Sequence, residues 1–130
     1  MKKMIVALAV VLVASGAYAG DFPEISVAEV KDAIQAKKIT LVDVNGSESW
    51  KGGHIPGAID FQSSKGKLAS LLPQDKDALI VAYCGGPNCG AYAAAAKAAK
   101  ALGYTNVKHL KAGLSGWQGA GEATQKCGCQ

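Results

Sequence analysis

The stretch from Leu79 to Gly103 constrains the fold more than any other part of the 130-residue chain. It reads Leu79-Ile80-Val81-Ala82-Tyr83, then Cys84-Gly85-Gly86-Pro87-Asn88-Cys89, then Gly90-Ala91-Tyr92 and an alanine-rich run closed by Leu102-Gly103. An unbroken apolar run ahead of a glycine cluster predicts a strand covered on both faces, and the alanine run with its terminal glycine predicts a helix with a C-cap. Cys84 is thereby placed on a tight loop between the carboxyl end of a strand and the amino end of a helix. Amides pointing into such a loop, together with the helix dipole, favour thiolate over thiol. A thiolate is a nucleophile at neutral pH, whereas a cysteine enclosed in apolar surroundings is inert, and an inert core cysteine at a strand end is the competing reading.

The length suits one domain with a single core. Met1-Lys2-Lys3, an apolar run from Met4 to Ala14 and Ala17-Tyr18-Ala19 before Gly20 form the pattern of a secretory signal peptide over residues 1–19. The apolar run falls short of the ~20 residues that span a bilayer, so no membrane span is expected in the mature protein, which is expected in the periplasm or secreted. Loss of Lys2 and Lys3 lowers the formal charge from +4 to +2, too mild to argue for nucleic acid. Every basic side chain is lysine; the sequence has no arginine, which excludes bidentate arginine clamps on oxyanions.

The four cysteines are Cys84, Cys89, Cys127 and Cys129. An even number in an exported chain would ordinarily indicate structural disulfides. Here two share one loop and two form a terminal Cys-Gly-Cys, so neither local pair would staple distant parts of the fold. Redox chemistry or sulfur handling is the more economical reading.

Ser26 followed by Glu29 forms a capping box, and Val27, Val30 and Ile34 supply the apolar stripe of a first helix ending near Lys37-Lys38. Ile39 to Val44 reads as a strand, Asn45 to Gly53 as a loop or single helical turn, and Gly53-His54-Ile55-Pro56-Gly57-Ala58 as a defined turn. Ala58 to Phe61 resumes an extended path. His54 has the chemistry of a general base, but a histidine between turn residues also serves to hold the turn through backbone hydrogen bonds. Lys67 to Leu72 reads as a short helix stopped by Pro73, Asn106 to Leu110 as a strand, and Lys111 to Trp117 as a turn and short helix. Periodicity ends at Gly119, so residues 119–130 are expected to form a flexible tail. Short strands alternating with helices predict an α/β domain with a mainly parallel sheet.

Three separated stretches resemble the rhodanese-like sulfurtransferase family in its single-domain form. Leu41-Val42-Asp43-Val44 through Gly53-His54-Ile55-Pro56-Gly57-Ala58 resembles the amino-terminal signature, Tyr83-Cys84 and its loop the active-site loop, and Gly113 to Trp117 the carboxyl-terminal signature. The resemblance implies a rhodanese-like domain over residues 20–118 with a five-stranded parallel sheet flanked by helices. It implies that Cys84 takes a sulfane sulfur from a small donor such as thiosulfate or polysulfide and passes it, as a persulfide, to a thiol, cyanide or protein acceptor. Gly85, Gly86, Asn88, Cys89 and Gly90 would bind the substrate, Asp43 and His54 would be structural neighbours, and neither metal nor organic cofactor is implied. Two positions depart from the family's Cys-x-x-Gly-x-Arg pattern: Pro87 stands at the glycine and Cys89 at the arginine. Asn45 replaces the usual arginine after the first strand. Pro87 removes an N–H donor and Cys89 a cation, so thiosulfate, a dianion, would meet a weakened anion site. Gly90 stands where related phosphatases carry arginine, which argues against phosphatase activity.

Two other functions fit the cysteines. One is a non-catalytic sulfur- or soft-metal-binding module, or sulfur relay, in which Cys127 and Cys129 hold the ligand; two thiolates do not close a tetrahedral site and would need a partner chain or a two-coordinate metal. The other is a thiol–disulfide switch in which Cys89 is the redox partner of Cys84.

Overall fold

A computed structural model describes residues 22–127; the signal-peptide reading over 1–19 and Cys129 lie outside the described residues. Ten elements follow in order among the described residues: α1 Val27–Gln35, β1 Thr40–Asp43, α2 Ser47–Gly52, β2 Ile59–Asp60, α3 Phe61–Ser64, α4 Leu68–Leu71, β3 Ile80–Tyr83, α5 Tyr92–Ala101, β4 Val107–His109 and α6 Gly113–Gly119. The strands form one parallel sheet in the order β2-β1-β3-β4.

The central strand β3 is buried along its whole length, as its uninterrupted apolar sequence requires. Its side chains alternate between two cores. Ile80 and Ala82 join Val42, Phe61, Leu68, Leu72, Ala95, Ala96 and Ala99 on the face covered by α3, α4 and α5. Val81 and Tyr83 join Val30, Leu41, Ile55, Leu110 and Trp117 on the face covered by α1 and α6. Alanines at the inner face of α5 let that helix approach the sheet closely.

Local sequence chemistry sets the boundaries. The Ser26 side chain accepts from the Glu29 amide at the start of α1, completing the expected cap. The extended path from Ala58 stops earlier than expected, because the Asp60 side chain accepts from the Gln62 amide and starts α3 at Phe61.

Two expectations are corrected. The sheet has four strands among the described residues, not five. What would be the fifth is reduced to a single parallel bridge of Glu24 to His109, flanked by hydrogen bonds from the Ile25 amide to His109 and from the His109 amide to Pro23. Pro23 has no N–H to extend the ladder. The chain after Gly119 does not leave the domain as a flexible tail over residues 120–127. Gln125 exchanges two backbone hydrogen bonds with His54 at 2.8 and 2.9 Å, Ala123 accepts from the Trp117 indole at 2.9 Å, and Glu122 pairs with Lys31 at 2.9 Å. The segment lacks periodicity because it is a strap held by backbone and cap-like contacts rather than by an apolar face.

Candidate active site

Parallel strands deliver their carboxyl ends to one edge of the sheet, where loops gather. Cys84 follows β3 at that edge, and residues 84–91 form the loop that precedes α5. The carboxyl ends of β1 and β2 lie beside it through the pairings of Asp43 with Tyr83 and of Asp43 with Asp60.

Asp43 is fully buried. Its carboxylate accepts from the Asn45 amide at 2.7 Å and from the Tyr83 hydroxyl at 2.8 Å. The Tyr83 oxygen accepts in turn from the Ile55 amide at 3.0 Å. Burial raises the Asp43 carboxyl above its ordinary range, opposed by the Asn45 amide and the Tyr83 hydroxyl. Burial and the adjacent carboxylate push the Tyr83 phenol far above its usual value, so it remains a donor. This chain of bonds ties the first-strand segment and the His54-Ile55 turn to the residue directly before Cys84.

His54 holds that turn. Its Nδ1 lies 2.7 Å from the Trp50 carbonyl, which can only accept, so Nδ1 carries the hydrogen. The imidazole stacks on the Trp50 ring at 4.2 Å, and the Trp50 indole donates to Ala58 at 2.8 Å. Of the two roles open to His54, these contacts are those of a turn-holding residue.

The loop is pinned from the other side by α6. Leu114 and Ser115 donate their amides to the carbonyls of Cys84 and Gly85 at 2.8 and 2.9 Å. This approach requires glycine at 113, whose φ is +64° and at which a Cβ would stand 2.6 Å from the Gly86 nitrogen and 2.7 Å from the Cys84 oxygen. Within the loop the Cys89 amide donates to Gly86 at 3.2 Å, closing a turn around Pro87 and Asn88. Among the described residues, the amides of Gly85, Gly86, Asn88 and Gly90 donate to no backbone carbonyl.

The curled loop brings Cys84 and Cys89 together as a disulfide with Cα atoms 6.2 Å apart, inside the usual range. Cys84 is buried at 1 % exposure, whereas Cys89 is half-buried and lines an open cleft of about 470 Å³. Phe22, Glu24, Tyr92, His109 and Lys111 line the same cleft. His109 stacks on Tyr92, and burial lowers its pKa, with Lys111 acting in the same direction and Glu24 opposing. Lys111 lies 3.5 Å from Glu24 across an exposed ion pair. These cleft residues were not legible as a site because they come from three separated stretches of the chain; the nearness of His109 and Lys111 at the end of a strand was the one local signal. Asn45, at the position of the family's arginine, sits with its Oδ1 near Gly85, and its Nδ2 is buried without a hydrogen-bond partner.

Cys127 is separate from this cleft. Its amide donates to Lys51 at 3.1 Å, and it lines a pocket with Trp50, His54 and Gln125 that shares no residue with the cleft at Cys89. No group of three or more His, Cys, Asp or Glu among the described residues could hold a metal ion. No helix among them is long and apolar enough to cross a membrane.

The model of the rhodanese-like domain matches residues 26–120, and the chain belongs to that family. It is 30 % identical over 105 residues to the thiosulfate sulfurtransferase GlpE of Shewanella oneidensis, with 76 % of this chain and 95 % of that protein covered. It is 40 % identical over 96 residues to an HTH-type transcriptional regulator of Mycobacterium tuberculosis, covering 72 % of this chain but only 41 % of the regulator. The chain likewise spans 23 % of a probable adenylyltransferase/sulfurtransferase, MoeZ, from the same species. Among solved structures, the 3-mercaptopyruvate sulfurtransferase SseA of Escherichia coli has the same fold, with a TM-score of 0.68 at 17 % identity over 85 % of this chain and 52 % of that one.

Proposed function

We propose that this protein is an exported sulfurtransferase, acting in the periplasm or outside the cell, that carries sulfane sulfur as a persulfide on Cys84. The observation that carries the proposal is the placement of Cys84 at the carboxyl end of β3, under a loop whose Gly85, Gly86, Asn88 and Gly90 amides are not used by the backbone. Such amides suit a persulfide anion, which needs several donors and no metal. Cys84 thiolate attacks the sulfane sulfur, the donor's remaining group leaves with the electron pair, and the outer sulfur is later taken by cyanide, a thiol or a protein thiolate. Likeness to GlpE supports a small sulfur donor. Because neither position 45 nor position 89 supplies arginine, polysulfide or a low-molecular-weight persulfide fits the site better than thiosulfate.

The test is the mass of reduced protein after exposure to a sulfane donor. Addition of one sulfur at Cys84, removed by cyanide and absent from Cys84→Ser of unchanged thermal stability, supports the reading. Equal sulfur transfer by Cys84→Ser removes Cys84 from its role.

The Cys84–Cys89 disulfide favours a second reading, a thiol–disulfide switch in which oxidation of the loop blocks sulfur loading. Cys127 and Cys129 remain a proposed relay or soft-metal pair, for which the measurement is metal content after anaerobic purification.

A further inference from the structure

We infer that Cys89 discharges the Cys84 persulfide internally, so that the protein releases sulfane sulfur as sulfide and is reset by a dithiol reductant. The inference rests on the persulfide reading of Cys84 and adds an outcome that sulfur transfer alone does not have.

In the oxidised loop the two sulfurs are bonded and the backbone around them is closed by the Cys89-to-Gly86 turn. Before that bond forms, Cys89 therefore has only a short approach to the inner sulfur of a persulfide on Cys84. Cys89 thiolate attacks the Cys84 Sγ. The bond between Sγ and the outer sulfur breaks, and the outer sulfur, which takes up the proton the Cys89 thiol gives up on ionising, leaves with the electron pair as hydrosulfide. Two cysteine sulfurs are oxidised to a disulfide while one sulfane sulfur is reduced to sulfide, so electrons balance without another reactant. Hydrosulfide is a good leaving group, as thiol exchange at a disulfide sulfur requires.

The same geometry sets the direction of reduction. Cys84 is enclosed, whereas Cys89 opens onto the cleft lined by Tyr92, His109 and Lys111. An external dithiol meets Cys89 Sγ first and forms a mixed disulfide there, and Cys84 leaves as the thiolate. The reductant's second thiol then releases Cys89, returning both cysteines reduced and the reductant oxidised. Departure of Cys84 rather than Cys89 is the productive order, because the loop amides that the backbone leaves unused suit an anion on Cys84.

The experiment uses the mature chain with Cys127→Ser and Cys129→Ser, with and without Cys89→Ser. Each protein is reduced, freed of reductant and given one equivalent of glutathione persulfide. The chain with Cys89 is expected to release close to one sulfide per molecule and to lose the mass of two hydrogens, with Cys84 and Cys89 joined in the peptide map. The Cys89→Ser chain is expected to retain the mass of one sulfur on Cys84 and to release at least tenfold less sulfide. A stable persulfide on the chain that has Cys89, without sulfide, overturns the inference and leaves the sulfurtransferase reading intact. Movement of the sulfur onto Cys89 also overturns it. Failure of both chains to take up sulfur overturns the sulfurtransferase reading, and the inference with it.

Discussion

The Tyr83 hydroxyl lies 2.8 Å from the Asp43 carboxylate, and the same oxygen accepts the Ile55 amide at 3.0 Å. One buried phenol thus ties the residue before Cys84 to two segments 40 and 28 positions earlier in the chain. Tyr83→Phe keeps the ring's packing but strands both a buried carboxylate and a buried amide. The expected loss is about 2–3 kcal/mol, since hydrogen bonds to charged groups and unsatisfied buried partners each cost ~1–3 kcal/mol. A lower midpoint of denaturant unfolding at unchanged slope is the measurement, and a midpoint equal to wild type would show the network to be unimportant.

Stability near neutral pH should carry the mark of His109. Burial holds its native pKa below the ordinary value, so the unfolded chain binds the proton more readily. As pH falls below ~6.5 the unfolded state takes up a proton that the native state resists, and stability is lost until the native pKa is passed. Asp43 acts with the opposite sign. Its raised native pKa means that stability rises as pH falls through the window from that value down to ~3.9. His109→Phe retains a ring against Tyr92 and is expected to flatten the loss of stability between neutrality and mild acid. Identical pH profiles for the two proteins would count against this assignment.

The parallel α/β arrangement was legible because β3 is an apolar run too short for a helix and flanked by glycine, while α1 carries its own cap at Ser26. The position of Cys84 followed from the same pattern. What was not legible depends on pairings between remote residues. The fifth strand shrinks to a bridge at Glu24 because its pairing rests on Pro23 and Ile25 meeting His109, and no local periodicity reports that. The strap over residues 120–127 is held by hydrogen bonds to His54, Gly57 and Trp117, which leave no hydrophobic pattern. Likewise the cleft wall joins Phe22 and Glu24 to Tyr92, His109 and Lys111, and only the fold makes them neighbours.

Deletion of residues 122–130 tests the strap. It removes the Gln125 pairing with His54, the Gln125 side-chain bond to the Gly57 amide at 3.1 Å and the Ala123 acceptor of Trp117. At about 1 kcal/mol for each hydrogen bond, the expected destabilisation is about 2–4 kcal/mol. Hydrogen exchange should also quicken at His54 and Gly57. Unaltered unfolding and unaltered exchange would mean that the strap contributes nothing to the domain.

Gly113→Ala should damage the site more than the sheet. The added carbon would fall within 2.8 Å of Gly86 nitrogen, Cys84 oxygen and Gly85 carbon, all of them backbone, and the positive φ adds a cost of about 1–2 kcal/mol for a residue with a side chain. The loop must move away from α6, and the carbonyls of Cys84 and Gly85 lose the amides of Leu114 and Ser115. Sulfur loading of Cys84 is expected to fall at least tenfold, while circular dichroism retains the helix content. Wild-type loading would show that contact with α6 does not shape the loop.

Substitution at Cys89 separates donor choice from redox chemistry. Cys89 stands where the family pattern has arginine and faces the cleft, where Lys111 is held towards Glu24 rather than towards the loop. Cys89→Arg therefore introduces a guanidinium beside Cys84 and also prevents the disulfide. A charge-assisted contact to a sulfonate oxygen is worth ~1.5–3 kcal/mol, which corresponds to roughly a ten- to hundredfold gain. That gain is expected in kcat/KM for thiosulfate, with little gain for a persulfide donor, whose charge sits on the transferred sulfur. The gain should shrink with ionic strength less than that of a surface pair, because the new cation is partly enclosed by the loop. Equal improvement with both donors would mean that loss of the disulfide, rather than the added cation, relieves the site, and no improvement with either would show that position 89 does not govern donor binding.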